Sequence, residues 1–152
     1  MRKTEINLGI DDQQRREQNI ELFKKAIYHL GRQEFDLCVS HLSEDVVCEW
    51  PYVPRPDLPD TLVGRNNVRA MFQQMEDLEY DPYNYQFDDI HELLDPNTLI
   101  AEYHAESRHR PSGKPYANRY ISILRFNSDR KISLWREYLN PLPVYDTLNI
   151  EI

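Results

Sequence analysis

The residues with the clearest catalytic potential lie in the segment Lys131–Pro141, which has the sequence KISLWREYLNP. As a strand with a period of two residues, it places Trp135, Glu137 and Leu139 on one face. An ionised carboxylate in an apolar wall is costly unless it is paired, so burial raises its pKa. Such a glutamic acid can exchange protons near neutral pH, and the pattern therefore predicts a general acid/base. The same pattern also fits a structural Glu137 that bonds a tyrosine or faces solvent at the sheet rim.

Periodicities along the chain predict an α+β domain in which helices come first and strands follow. The prolines within residues 53–63 predict a stiff loop at the rim of a site. Residues 1–10 are predicted to be a flexible arm, residues 11–152 a single domain, and the end of the chain after Pro141 a tail that docks on a neighbour. Helices are expected at residues 11–32, 33–42 and 65–78, a turn at 43–45, and strands at 46–52, 83–94, 98–107, 118–126 and 131–140.

The last two strands are predicted to pair as a hairpin. A symmetrical tip at residues 128–129 places Tyr120 opposite Glu137. A one-residue slip at Arg130 would instead move every partner to the opposite face of the sheet.

A second symmetrical tip, at residues 112–113, places Tyr103 opposite Ser122. One face of the sheet then combines small residues, aromatic residues and a few polar groups, which is typical of a ligand pocket. The members of this predicted pocket face are Ala101, Tyr103, Ala105, Asn118, Tyr120, Ser122, Trp135 and Glu137.

The opposite face mixes charged and apolar side chains, which is typical of a subunit contact and predicts a homodimer. On this face Glu106 is predicted to pair with Arg119, and His104 is predicted to be a surface or interface histidine. The five histidines are scattered without a spacing such as HxxxH or HExxH, so no metal site is predicted.

Composition narrows the choice of partners and location. With a formal net charge of −8, the chain offers no basic face for nucleic acid or an anionic membrane, and neither is expected as a partner. No apolar run approaches the length of a membrane span. Cys38 and Cys48 lack CxxC or CxxH spacing, which favours reduced thiols and a cytoplasmic location. No GxGxxG, P-loop or GxSxG motif occurs, and no cofactor is expected.

These patterns assign two groups of site residues. Glu137 is the predicted catalytic acid/base, with Tyr120 and Asn118 orienting it or holding a developing oxyanion. Neither cysteine has a predicted basic partner, which gives little support to a thiolate nucleophile. The predicted substrate contacts are Trp50, Tyr52, Met71, Met75, Tyr103, Ser122 and Trp135.

The order of elements resembles the nuclear transport factor 2-like superfamily, and over residues 15–145 the chain is similar to its SnoaL-like branch. The resemblance implies a curved mixed or antiparallel sheet that forms a cone around N-terminal helices, a cystatin-like α+β barrel with a pocket inside. The matching residues are Asp45-Val46-Val47, Glu49-Trp50-Pro51-Tyr52, Val63-Gly64-Arg65, Val68-Arg69, Asn118-Arg119-Tyr120, Lys131-Ile132 and Arg136-Glu137-Tyr138.

Within this branch, which includes polyketide cyclases, the ending Arg136–Asn140 is similar to that of the phenazine-biosynthesis A/B proteins. This resemblance implies a dimer in which the glutamate at position 137 donates a proton during condensation or isomerisation of a small ketone. Those proteins also use a histidine on the third helix, where this chain has Met71. Ketosteroid isomerases use an Asp base together with a Tyr and an acid that hold the oxyanion, and the predicted pocket face does not contain this set. The Asp–Arg–Asp network of limonene-epoxide hydrolases is unmatched there too.

Two small-molecule functions stay open on the sequence, beside a third in which the cone is only a scaffold for partner proteins. The first is a cofactor-free isomerase, cyclase or condensation-assisting enzyme that acts on a small apolar carbonyl compound through Glu137. The second is a non-catalytic binding module of the same fold, in which Glu137 is only hydrogen-bonded. Both functions predict a small apolar or aromatic ligand.

Overall fold

The computed structural model describes the backbone of residues 2–152 and the side chains of residues 11–152. The predicted flexible arm, residues 1–10, lies outside the residues whose side chains are described. No helix in the described part of the chain is long and apolar enough to cross a membrane. In chain order the elements are α1 (Arg2–Gly31), α2 (Phe35–Val39), β1 (Leu42–Glu49), β2 (Thr61–Val63), α3 (Arg65–Asp77), β3 (Asn84–Glu92), β4 (Thr98–Arg108), β5 (Pro115–Phe126), β6 (Ile132–Leu139) and α4 (Leu142–Thr147).

The strands form one curved, mixed sheet in the order β2-β1-β6-β5-β4-β3. Strands β1 and β6 run parallel, and the other neighbouring strands are antiparallel. Because β2 and β3 lie at its two edges, the sheet stays open and does not close into a barrel. The predicted α+β fold, with a curved mixed sheet and N-terminal helices, is confirmed.

Helix α1 packs its apolar stripe against the concave face of the sheet. Phe23, Ile27 and Leu30 recur at helical spacing and are almost fully buried. The Phe23 ring makes edge-on contacts, with centroids 5.3 to 5.9 Å apart, to the rings of Phe87, Tyr103 and Trp135. The helix is therefore anchored directly beneath the face that carries Glu137.

Strand β1 begins earlier than the sequence predicts. Leu42, expected to end the second helix, pairs with Ile132, and residues 43–45, expected to form a turn, belong to the strand. Pairing resumes between Val47 and Leu134, so the extra residues of β1 form a bulge. Pairing with β6 at Leu42 and again from Val47 holds both ends of the segment in the strand, which overrides the local turn preference of the Ser-Glu-Asp sequence.

Two other boundaries also differ. Helix α1 begins at Arg2 rather than at Asp11 or Asp12. Residues Thr61–Val63, predicted as loop, form the edge strand β2 against β1. Three residues are too few to show the alternation of a strand, and the preceding prolines indicate a loop.

The register of the β5–β6 hairpin differs from the prediction by two residues. Ser122, and not Tyr120, lies opposite Glu137. The turn is not symmetrical, because Arg130 has a positive φ of 57° and the pairing shifts between Arg125 and Phe126. A shift by an even number of residues keeps every side chain on its predicted face.

The β4–β5 hairpin is also shifted by two residues. Tyr103 lies opposite Tyr120 rather than Ser122, because the loop closes at Arg108 and Pro115 instead of at a symmetrical two-residue tip. Because this shift is also by an even number of residues, every residue of β4 and β5 that was predicted on the pocket face stays on that face.

The outer face changes its partners as a result of this shift. Glu106 lies opposite Ala117, and His104 takes the place opposite Arg119. The predicted Glu106–Arg119 ion pair is therefore not found among the side chains that the structure describes. His104 instead contacts Asp88, with Nδ1 2.9 Å from the carboxylate.

The segment after Pro141, predicted to be a tail that docks on a neighbour, forms helix α4 and packs against its own chain. Thr147 donates its hydroxyl proton to the Val144 carbonyl at 3.1 Å. The Tyr80 hydroxyl must then donate to Thr147 Oγ1, 2.5 Å away. This bond holds α4 beside the cavity described below.

Candidate active site

A cavity of about 130 Å³ lies between the concave face of the sheet, helices α1 and α3, and the proline-rich loop. Its wall is mostly apolar and aromatic, and Arg55 and Glu137 are the charged residues among those that line it. A cavity of comparable size, about 150 Å³, is known to bind a single benzene ring. The aromatic residues in the wall are Trp50, Phe72, Tyr80, Tyr83, Tyr85, Tyr116 and Tyr120.

Glu137 extends from β6 into this cavity, as its position on the concave face requires. Burial raises the pKa of its carboxyl from 4.5 to about 7. Hydrogen bonds from Tyr103 and, more weakly, from Trp50 oppose the rise because they stabilise the ionised form. Glu137 therefore populates both its protonated and its ionised form near neutral pH.

A directional chain of hydrogen bonds ends on Glu137. The indole N–H of Trp135 donates to Ser122 Oγ at 3.1 Å, and indole is a donor only. Ser122 and Tyr103 are joined by a 2.6 Å bond, and Tyr103 donates its proton to Glu137 Oε2 at 2.5 Å. Since Tyr103 has one proton and gives it to the ionised carboxylate, Ser122 must donate to Tyr103, and the accepting carboxylate sets the direction of the chain.

A second polar network joins Asn118 to the cavity wall. Asn118 Nδ2 donates to the Tyr116 hydroxyl at 3.0 Å and to the Asn140 carbonyl at 2.8 Å. The Tyr116 and Tyr120 hydroxyls are 2.8 Å apart. Asn118 itself is buried and does not line the cavity, so its predicted contact with Glu137 or an oxyanion is wrong. Its hydrogen bonds position Tyr116, and through it Tyr120.

The predicted substrate contacts divide into three groups. Trp50, Met71 and Met75 line the cavity with Tyr120 and Glu137. Tyr103, Ser122 and Trp135 lie behind this wall, where they are almost fully buried and form the chain that ends on Glu137.

The predicted placement of Tyr52 in the pocket is wrong. Its side chain is 63% exposed and packs edge-on against Tyr138, with ring centroids 6.0 Å apart. Strand β1 ends at Glu49, so the alternation that placed Trp50 and Tyr52 on one face does not continue to Tyr52.

Several cavity residues were not predicted from the sequence. Tyr83, just before β3, and Tyr85, at its start, are two positions apart, and this alternation could have placed both on the pocket face. Arg55 lies in the proline-rich loop, where no periodicity indicates the direction of a side chain. Tyr80 and Tyr116 come from two loop-proximal segments that meet only in the folded chain.

The two cysteines and one cluster of potential metal ligands are further candidate reactive groups. Both cysteines are buried, and burial raises the pKa of the Cys38 thiol to about 12 and that of Cys48 further, which disfavours thiolates. Among the described residues, Asp89, His91 and Glu102 place their ligand atoms within 4.8 Å of one another. None of these three side chains lines the cavity.

Replacing Tyr103 with phenylalanine is expected to raise the pKa of Glu137 above about 7. The substitution removes the donor that stabilises the ionised carboxylate and leaves the ring contacts of Tyr103 in place. A titration of the Glu137 carboxyl by carbon-13 NMR measures the shift. Tyr28→Phe, at an exposed tyrosine on α1, is the matched control and should leave the titration unchanged. An unchanged or lowered pKa in Tyr103→Phe would contradict this assignment of the hydrogen bond.

The fold and the site match a known family. The SnoaL-like domain model matches residues 23–135, and the chain therefore belongs to the SnoaL-like domain family. Its architecture is that of nuclear transport factor 2-like proteins.

Individual relatives share the fold and part of the sequence. A PhzA/B-like protein of Pseudomonas aeruginosa, PA3332, is 34% identical over 98 residues, which cover 63% of this chain and 65% of that protein. The crystal structure of a candidate isomerase from Bacillus subtilis superimposes with a TM-score of 0.77 at 22% identity, covering 90% of this chain and 96% of that one. A phenazine biosynthesis-related protein of Pseudomonas aeruginosa superimposes with a TM-score of 0.73 at 18% identity, covering 91% and 85%.

Proposed function

We propose that the protein is a cofactor-free enzyme that moves a proton on a small, one-ring carbonyl compound, as in an isomerisation, cyclisation or condensation. The observation that carries this proposal is the placement of Glu137, which enters an apolar cavity with a pKa of about 7. A group with a pKa near the working pH is the most effective general acid/base. The small volume of the cavity favours a substrate of one ring.

In the proposed reaction, ionised Glu137 takes a proton from the carbon next to the carbonyl group. The electron pair of that C–H bond moves to the carbonyl oxygen and forms an enolate. Protonated Glu137 then returns the proton to a different carbon for isomerisation. When its proton has first exchanged with deuterated solvent, it delivers a deuteron to the same carbon instead. One hydroxyl of the Tyr116–Tyr120 pair donates to the other, and the remaining O–H supplies a hydrogen-bond donor for the enolate oxygen.

The chain of donors behind Glu137 supports this role. Tyr103 holds Oε2 of the ionised carboxylate, and Ser122 and Trp135 in turn hold the Tyr103 hydroxyl in place. A fixed carboxylate needs little reorganisation when the proton moves. Met71, at the position of the helix histidine of the phenazine-biosynthesis A/B proteins, offers no proton, so the proposed chemistry needs a single acid/base.

The experiment uses neutral one-ring ketones in deuterated buffer. We expect the protein to accelerate the conversion of 3-cyclohexenone to 2-cyclohexenone, followed by ultraviolet absorbance, and deuterium incorporation next to the carbonyl of cyclohexanone, followed by proton NMR. Protein heated beyond its unfolding transition is the control. No acceleration with either ketone would argue against proton transfer on this class of neutral compound.

The second candidate function is a non-catalytic binding module in the same cavity. The favouring observation is that Glu137 Oε2 already accepts a short hydrogen bond from buried Tyr103, as a purely structural carboxylate would. This function predicts that the ketones bind, are recovered unchanged by mass spectrometry, and gain no deuterium. The predicted homodimer is a proposal for either function, with the outer face of the sheet as its contact.

A further inference from the structure

Arg55 is a nearly buried cation in the wall of the cavity. Its side chain is 11% exposed, although it comes from the proline-rich loop on the surface of the fold. It is held by Asp57, whose oxygens are 3.0 Å from Nε and from Nη2, and by Gln74 Oε1, which is 2.6 Å from Nη2. These contacts orient the guanidinium group rigidly.

The donors of Arg55 are only partly used. A guanidinium group has five N–H donors, and the bonds to Asp57 and Gln74 use the one on Nε and the two on Nη2. Within the described part of the chain, Nη1 has no hydrogen-bond acceptor. Among the described residues, the only fully buried side-chain polar atom without a partner is Ser43 Oγ, so Nη1 keeps contact with solvent. Nη1 is therefore available to an acceptor that enters from outside.

The ion pair with Asp57 does not explain the position of Arg55. The Asp57 side chain is 69% exposed, so a pair of this kind could lie entirely in water. The guanidinium instead lies against the wall of an apolar cavity, where removing a charge from water has a cost even when the charge is paired. A planar cation with free N–H groups at such a wall matches the geometry of a carboxylate.

We propose that Arg55 is an anion-binding subsite of the cavity, and that the ligand is a one-ring compound carrying a carboxylate. This inference rests on the proposed function, because it takes the cavity beside Glu137 to be the substrate site. Among the residues that line the cavity, Arg55 is the cation and Glu137 is the acid, so a ligand carboxylate is expected beside Arg55 and away from Glu137. The carboxylate contacts Nη1, and the ring lies among the tyrosines towards Glu137.

The experiment compares benzoate with benzamide, which has the same shape and no charge. Their affinities are measured by isothermal titration calorimetry with wild type, Arg55→Met and Arg125→Met. Arg125 is exposed on the outer face of β5, so its substitution changes the net charge equally without touching the cavity.

We expect wild type to bind benzoate more tightly than benzamide. Arg55→Met should weaken benzoate binding about tenfold or more, equivalent to about 1.4 kcal/mol, and change benzamide binding less than twofold. Arg125→Met should leave both affinities unchanged. Arg55→Lys keeps the positive charge and loses the planar, forked donors of the guanidinium group. It should weaken benzoate binding less than Arg55→Met does.

Equal affinities of wild type for benzoate and benzamide would overturn the subsite, whether or not Arg55→Met folds. An equal loss of benzoate binding in Arg55→Met and Arg125→Met would also overturn it, because long-range charge alone would then explain the effect. The proposed function fails separately. If benzoate preference depends on Arg55 and ketones are not turned over, the subsite stands and the reaction does not.

Discussion

Replacing Glu137 with glutamine is expected to lower the rate of ketone isomerisation and deuterium exchange by about 10²- to 10⁴-fold. Glutamine keeps the size of the side chain and an oxygen that can accept the bond from Tyr103, but it cannot take up or release the proton. The loss should appear in kcat more than in KM, because the proton moves only in the chemical step. Initial rates over a range of ketone concentrations measure both constants.

The matched control for this variant is Glu106→Gln. Glu106 is exposed on the outer face of β4 and does not line the cavity, so the substitution removes the same charge from the opposite face. Its rate should equal that of wild type. A Glu137→Gln variant that turns over ketones like wild type would show that another group carries the proton, and the proposed role of Glu137 would be withdrawn.

The same substitution is expected to stabilise the folded protein above neutral pH by about 3 kcal/mol. The pKa of Glu137 rises from 4.5 in an exposed chain to about 7 in the fold. Between these two values the native state holds a proton that the unfolded state has lost. The free energy of unfolding of wild type therefore falls as pH rises from about 4.5 to about 7, and is constant with respect to this group at higher pH.

Urea unfolding at pH 5 and pH 8 measures this effect for wild type, Glu137→Gln and Glu106→Gln. The difference in stability between Glu137→Gln and wild type should grow by about 3 kcal/mol from the lower to the higher pH, whereas Glu106→Gln should follow wild type. Taking the difference cancels the titration of the other carboxyl groups. A difference that does not change with pH would mean that Glu137 titrates normally in the folded protein.

Together the two effects describe an acid that costs stability at the pH where it works. An ionised carboxylate is disfavoured by burial among aromatic residues, and the donor chain from Trp135 through Tyr103 offsets only part of that cost. Such local conflict between stability and chemistry is typical of active sites. A variant that is more stable and inactive would therefore support the proposed function more strongly than inactivity alone.

The hairpin registers show why faces were predicted correctly and partners were not. The face of a strand residue depends on the parity of its position, and a shift by two residues leaves parity unchanged. The choice between Tyr120 and Ser122 as the neighbour of Glu137 depends on the turn around Arg130, whose positive φ has no strong sequence signal. The predicted placement of Tyr52 in the pocket was wrong for a related reason. The sequence does not locate the end of β1 to within a few residues.

The sequence by itself determined the α+β class, the SnoaL-like resemblance and the concave placement of Glu137, because helical spacing and strand alternation are local properties of the chain. Tertiary structure alone decided that Tyr103 bonds Glu137, that Asn118 bonds Tyr116, and that Arg55 lines the cavity. These contacts join residues far apart in the chain, and their geometry depends on turns, bulges and loop conformations that no local periodicity encodes.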